Sequence, residues 1–223
     1  MDNAIDDTIT ISAFEWVPDF ARGQVRDLIV RWALEEIGRR YQTQLINAGV
    51  ARGEDYLAWH PFDQVPAYRD AHGEMFESGA ILLHLGELDA RILPHDPARR
   101  MAVQSWLIAA YASVEAALRP ITLMPLFNSD KEWCAPAVAS MLPVAEKRLQ
   151  QLSNALGKKP WIAGDFSIAD IVLAYVLRSF GGGMINDHAN LIAYRDRATA
   201  RPAFQRALQA QLDDFTGEPP HPM

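Results

Sequence analysis

The hydrophobic pattern of this chain changes character once, at Ile92-Leu93-Pro94-His95-Asp96-Pro97. Upstream, stretches that alternate apolar and polar residues are interleaved with stretches spaced at three and four. Downstream, every apolar stripe has helical spacing. Proline fixes its own φ, removes a backbone donor and disfavours helix at the residue before it. The two prolines therefore make this stretch a linker between two kinds of structure. Such a chain is expected to fold as an α/β domain over residues 1–90, a linker at 91–97 and an all-helical domain over 98–223.

The upstream part reads as β-α-β followed by β-β-α. Thr8 to Phe14 alternates and is rich in β-branched residues, a strand pattern. Val25, Leu28, Ile29, Trp32, Ala33 and Ile37 share one helical face, with Gly38 as a stop. Tyr41 to Ile46 reads as a second strand, so the first pair should be parallel with a right-handed crossover. Residues 47–63 are polar and read as irregular. Pro66–Arg69 and Glu74–Phe76 read as short strands joined antiparallel through the turn Asp70-Ala71-His72-Gly73. Ser78 is placed to cap a helix carrying Ile81, Leu82, Leu85 and Leu88.

Downstream, a long stripe runs from Val103 through Trp106, Leu107, Ala110, Val114 and Ala117 to Ile121, and Pro120 and Pro125 should kink or end that helix. A second stripe spans Val138 to Leu156 around Pro143, which should bend or divide it. A third helix spans Ser167 to Phe180 and stops at Gly181-Gly182-Gly183. Two shorter helices, 188–199 and 202–213, precede a tail from Gly217 that should be loose.

Charge and cysteine usage exclude several function classes. The 223 residues carry a net charge of -7 with pI near 5.3, which argues against nucleic acid as a partner. Cys134 is the sole cysteine, so no intrachain disulfide, Cys-x-x-Cys pair or cysteine zinc site can form. The six histidines, at 60, 72, 84, 95, 188 and 221, show no His-x-x-x-His spacing, and no metal is expected. Met1 to Asp7 is acidic and lacks the regions of a secretory signal. No apolar run approaches the ~20 residues of a membrane helix. No membrane partner and a cytoplasmic location are expected.

Three motifs carry chemistry or architecture. Gln64-Val65-Pro66 follows Pro61; with a cis bond, the Val65 N–H and C=O would face outward beside the sheet and could pair with a peptide-like ligand as an added strand does. Glu77-Ser78-Gly79-Ala80-Ile81 opens a helix, whose N-terminal N–H groups attract an anion. Ile162-Ala163-Gly164-Asp165, with Ser167 and Asp170, reads as a polar turn leading into a capping box.

In order and spacing these motifs, over roughly residues 8–212, resemble those of the cytosolic glutathione transferases, with His60 where the family's Asn-Pro-x-x-x-Val-Pro form has Asn. The resemblance implies a thioredoxin-like N-terminal domain followed by an all-α domain. It implies glutathione as co-substrate, no metal, and a homodimer. On this reading Val65 and Pro66 hold the peptide. Ser78 and its helix end hold the γ-glutamyl carboxylate. Glu77 takes the α-ammonium, and Gln64 meets the glycyl carboxylate.

Family chemistry is activation of the glutathione thiol. A free thiol with pKa near 8.5 is only about 3% thiolate at pH 7, and lowering it by about two units corresponds to roughly 2.7 kcal/mol. The resemblance places that task in residues 14–23. There the chain has no tyrosine; Ala21 stands where some classes carry cysteine and Asp19 near where others carry serine. Two readings stay open. In one, the backbone N–H groups of Phe20 to Arg22 and the Arg22 side chain hold the thiolate. In the other, Asp19 caps the following helix and cancels its field, leaving a binding protein. Trp16 and Ser12 are further candidates. The second substrate, an apolar electrophile, is expected against Trp16, Phe20, Trp106 and Tyr111 at the domain junction. The expected function is a detoxifying glutathione transferase. The alternatives are a non-catalytic binding or interaction protein, or a glutathione-dependent isomerase, although the Ser-Ser-Cys corner of such isomerases is absent.

Overall fold

A computed structural model describes residues 8–48, 50 and 52–219. Met1–Asp7 and the last residues of the tail, Pro220 to Met223, lie outside the described residues. Two compact units divide the chain: residues up to Asp89 together with those from Pro202 onward, and Ala90–Arg201.

The first unit is built on four strands, β1 (Ile9–Phe14), β2 (Tyr41–Ile46), β3 (Ala67–Asp70) and β4 (Gly73–Phe76), ordered β2-β1-β3-β4. β1 and β2 are parallel, in register from Ile9↔Tyr41 to Phe14↔Ile46. β3 is antiparallel to β1 and to β4, with Ala67 opposite Phe76. The hairpin turn closes as its residues suggest: the Asp70 carboxylate accepts the N–H groups of His72 (2.7 Å) and Gly73 (3.2 Å). Helix α1 (Asp27–Ile37) buries Leu28, Ile29, Val30, Trp32, Ala33 and Leu34, and ends on Gly38 at φ 71°.

The stretch 47–63 is not irregular throughout. It contains helix α2 (Glu54–Trp59), which buries Tyr56 and Trp59. Six residues are too few to show a stripe, so tertiary burial rather than periodicity defines this helix. The Trp59 indole donates to the Tyr68 carbonyl at 2.9 Å. Helix α3 (Ser78–Glu87) then buries Ile81, Leu82 and Leu85.

The second unit is helical. Asp96 caps α4 (Pro97–Ala109), accepting the Arg99 N–H at 2.9 Å. The linker stretch is anchored: Ile92 and Leu93 are buried, and the Ile92 carbonyl accepts the Ile168 N–H at 3.0 Å. α4 passes through a wide π-helical turn, Ala110–Glu115, into α5 (Ala116–Asn128). Neither Pro120 nor Pro125 ends it. The wide turn closes four residues before Pro120, where the Ala116 N–H reaches back to the Tyr111 carbonyl. The resulting helix, 32 residues from Pro97 to Asn128, is long and apolar enough by composition to cross a bilayer, and only 33% of its most apolar stretch is buried. That length was not apparent from the sequence, where the prolines interrupt the pattern.

Helix α6 (Cys134–Leu156) likewise runs through Pro143 as one element. Helix α7 (Ile168–Phe180) starts from a complete Ser167/Asp170 capping box and is buried over most of its length. Asp165 is not part of a buried turn; its side chain is 78% exposed and pairs with Arg99. α8 (Ala189–Thr199) closes this unit, and α9 (Pro202–Asp213) packs with the first, placing Phe204 edge-on to Trp32 at 4.8 Å.

Candidate functional site

Strand pairing gathers three segments at one end of the sheet. β1 leaves the sheet there into residues 15–26. The Gln64-Val65-Pro66 loop enters β3 there, and α3 begins there after Phe76, the partner of Ala67.

The Val65–Pro66 bond is cis. Neither the N–H nor the C=O of Val65 has a hydrogen-bond partner among the described residues, while Gln64 is exposed. Around this open unit the loop is held tightly. Ser12, fully buried on β1, accepts the Ala67 N–H at 2.7 Å and bonds the Tyr56 hydroxyl at 2.8 Å; Tyr56 donates to the Gln64 carbonyl at 2.7 Å. Burial pushes the Tyr56 hydroxyl above its ordinary pKa. Arg52 lies 3.1 Å from the Asp63 carboxylate, and its guanidinium sits over the rings of Phe14 and Tyr56.

At the α3 end, Glu77 rather than Ser78 is the capping residue. Its φ of 68° turns the chain into the helix, and its carbonyl accepts the Ile81 N–H at 3.0 Å. A left-handed glutamate costs on the order of 1–3 kcal/mol, a strain that gathers at ligand sites. Ser78 is the first helical residue and is 1% exposed. His60, buried beside this segment against Phe76, has no partner at Nδ1; burial lowers its pKa, although Glu77 pulls the other way.

The corner after β1 removes the Asp19 cap and narrows the set of free N–H groups that the sequence suggests. Asp19 to Ala21 forms a single 3-10 turn, and α1 starts only at Asp27, so Asp19 does not cap it. The N–H groups of Ala21 and Arg22 are spent on Pro18 and Asp19 carbonyls at 2.8 and 3.2 Å. The Phe20 N–H makes no hydrogen bond to a described residue. Phe20 is 55% exposed and Trp16 is half-buried. The Arg22 side chain lies 3.9 Å from Asp19, donates to the Phe215 carbonyl at 3.5 Å and sits over the Phe215 ring at 5.2 Å. The tail is therefore not loose at its start: the Gly217 N–H donates to the Glu15 carbonyl at 2.8 Å.

The fold thus brings Trp16, Phe20, Arg22, Gln64, Val65, Pro66, Glu77 and Ser78 to one end of one sheet. Trp106 and Tyr111 belong to the other unit, half-buried on α4 and in the π turn. Ser12 turns from a candidate at the thiol into a support of the loop. Tyr56 and Arg52 escape the sequence reading, because the six-residue helix that carries Tyr56 is too short to show a periodic stripe. Among the described residues no three His, Cys, Asp or Glu side chains converge as a metal site would require.

Residues 20–87 match the family model described as glutathione S-transferase, N-terminal domain. Glutathione S-transferase GstA of Escherichia coli O157:H7 is 31% identical over 189 residues, 80% of this chain and 90% of that protein. The disulfide-bond oxidoreductase YfcG of Escherichia coli K12 is 30% identical over 81% of this chain and 89% of its own length. An uncharacterized GST-like protein of Streptococcus mutans is 27% identical over 70% of this chain, an alignment that spans 65% of that protein. In three dimensions, a glutathione transferase from Burkholderia graminis, solved with two glutathione molecules bound per subunit, superposes with TM-score 0.80 at 22% identity, over 94% of this chain and 90% of that one. The matched N-terminal region holds most of the sheet-end site, and the match to GstA, which covers 80% of this chain, extends into the helical unit, so the chain belongs to the glutathione S-transferase family.

Proposed function

We propose that this protein binds glutathione at the sheet end and activates its thiol for attack on an apolar electrophile, a detoxification chemistry. The observation that carries the reading is Val65: its N–H and C=O are both open, on a loop whose two flanks are clamped. A γ-glutamyl peptide pairs with such a unit as an added strand would. Ser78 and the first turn of α3 take its γ-glutamyl carboxylate. Glu77 takes the ammonium, and Gln64 faces the glycyl end. The open Phe20 N–H and the Arg22 guanidinium are the groups that hold the thiolate, with Trp16 beside them. Trp106 and Tyr111 are the residues proposed to meet the electrophile.

A second reading, a binding protein with little turnover, is favoured by one feature. The Ala21 and Arg22 N–H groups are spent within their turn, and Asp19 stands near the Arg22 cation. Ultraviolet difference titration of bound glutathione separates the two. Activation moves the thiol pKa down by about two units, and Arg22→Ala reverses much of that shift. A bound thiol that titrates at its free value leaves the binding protein.

Family membership supports a homodimer and a cytoplasmic setting. On the long helix, Met101 (68% exposed) and Ile108 (56% exposed) stand on one outward face, two apolar side chains that a second copy would cover. Sedimentation at micromolar concentration checks this.

A further inference from the structure

We infer that Tyr56 and Ser12 are positioning residues for the glutathione loop, two hydroxyls in series that set the direction of the Val65 N–H; the inference rests on the glutathione reading above. The proton directions follow from the partners. The Ala67 amide can only donate, so Ser12 Oγ accepts from it at 2.7 Å. The Gln64 carbonyl can only accept, so Tyr56 donates to it at 2.7 Å. Tyr56 has one proton, so the 2.8 Å bond between the hydroxyls runs from Ser12 to Tyr56. The arrangement is single-valued: Ala67 N–H to Ser12, Ser12 to Tyr56, Tyr56 to Gln64. Both hydroxyls are satisfied in a buried setting, with Ser12 at 0% and Tyr56 at 7% exposure.

What this does to the loop comes from peptide geometry. The Gln64 C=O and the Val65 N–H belong to one planar, trans unit and point in opposite directions. Tyr56 grips the carbonyl from the protein side, so the Val65 N–H faces the opposite way, open. Ser12 does the same for the next free peptide, holding the Ala67 N–H and turning the Pro66 carbonyl the other way. The chain Ser12–Tyr56 thus fixes the Gln64–Val65 and Pro66–Ala67 planes, one on each side of the Val65–Pro66 bond, from α2 and from β1 respectively. Without it, the loop would keep its contacts but lose the fixed orientation of its donor.

The test is calorimetric titration of the full-length protein with reduced glutathione, on wild type, Tyr56→Phe, Ser12→Ala and the double variant, with far-ultraviolet circular dichroism to confirm folding. Ser12→Ala, the smaller deletion, carries the test if Tyr56→Phe does not fold. The expected result is about tenfold weaker binding in each single variant, and no further loss in the double, because the two hydroxyls act as one device. Steady-state kinetics should show KM for glutathione rising with kcat within about twofold. Single variants that bind within twofold of wild type overturn the inference, as do losses that multiply in the double variant or a fall in kcat with KM unchanged. A wild type that does not bind glutathione refutes the proposed function itself and the role of the two hydroxyls with it.

Discussion

Replacing Asp170 should strongly destabilise this protein, and the size of the loss follows from the hydrogen bonds the carboxylate holds. Asp170 is fully buried. One carboxylate oxygen accepts the Ile162 N–H at 2.9 Å and the Tyr194 hydroxyl at 2.7 Å; the other accepts the Ser167 N–H and hydroxyl, both at 2.9 Å. Burial pushes the carboxyl up, and these four donors oppose it. Asp170→Ala strands two buried amides and two hydroxyls. Each unmet buried donor costs about 1–3 kcal/mol, and the hydroxyls can turn to other acceptors, so a net loss of about 4–6 kcal/mol is expected. Asp170→Asn keeps one acceptor oxygen, and its NH2 can donate to a rotated hydroxyl. It leaves one amide unmet, for about 2–3 kcal/mol. Both are read from urea denaturation with the slope m compared across variants. A loss for Asp170→Ala below about 2 kcal/mol at unchanged m would refute the idea that this carboxylate ties the turn, the capping box and α8 together.

Three further outcomes follow. His60 has a folded-state pKa below its unfolded value of about 6.5, so the stability it contributes is full above that pH and is lost as pH falls through the lowered value; denaturation between about pH 7 and pH 5 should show this slope, and His60→Asn should flatten it. Asp70, whose carboxyl is held low by its bond to His84 although burial pulls it up, acts only below its ordinary range. At Gly217 an added Cβ would stand 2.7 Å from the Glu15 Cγ and 3.1 Å from its carbonyl oxygen, so Gly217→Val should cost about 1–2 kcal/mol, lower Tm by a few degrees and open the tail to limited proteolysis. Arg31, 1% exposed, donates to Asp27 at 2.7 Å and to Asp214 at 2.6 Å. Burial raises the Asp27 carboxyl, and the donors from Arg31 and Gln211, both at 2.7 Å, act in the opposite direction. Arg31→Met, which leaves the buried Asp27 carboxyl without its cationic partner, should cost about 3–5 kcal/mol by urea denaturation, and adding Asp27→Leu should recover part of it.

Much of the fold was legible because its elements are written in long periods. The alternation in Thr8–Phe14, the face from Leu28 to Ile37 and the box Ser167-x-x-Asp170 each specify one local structure, and each forms. What was not legible depends on distant partners. The helix Glu54–Trp59 exists because Tyr56 and Trp59 reach under β3, and no six-residue window shows that. Pro120 and Pro125 read as breaks because the wide turn upstream has no composition signal. The half of the candidate site proposed to hold glutathione, Gln64 to Pro66 with Glu77 and Ser78, could be located from the sequence because a proline and a helix start are local features. The corner was not: where the N–H groups of Ala21 and Arg22 point is decided by a 3-10 turn, and where Arg22 lies is decided by Phe215, nearly 200 residues away.

The central claim is that Val65 holds a γ-glutamyl peptide whose sulfur faces the corner. A crystal structure with reduced glutathione tests it directly. The account predicts the cysteinyl backbone paired with the N–H and C=O of Val65, the γ-glutamyl carboxylate at Ser78, and the sulfur within hydrogen-bond reach of the Phe20 N–H or Arg22. Glutathione bound elsewhere, or bound with Val65 unpaired, would contradict it.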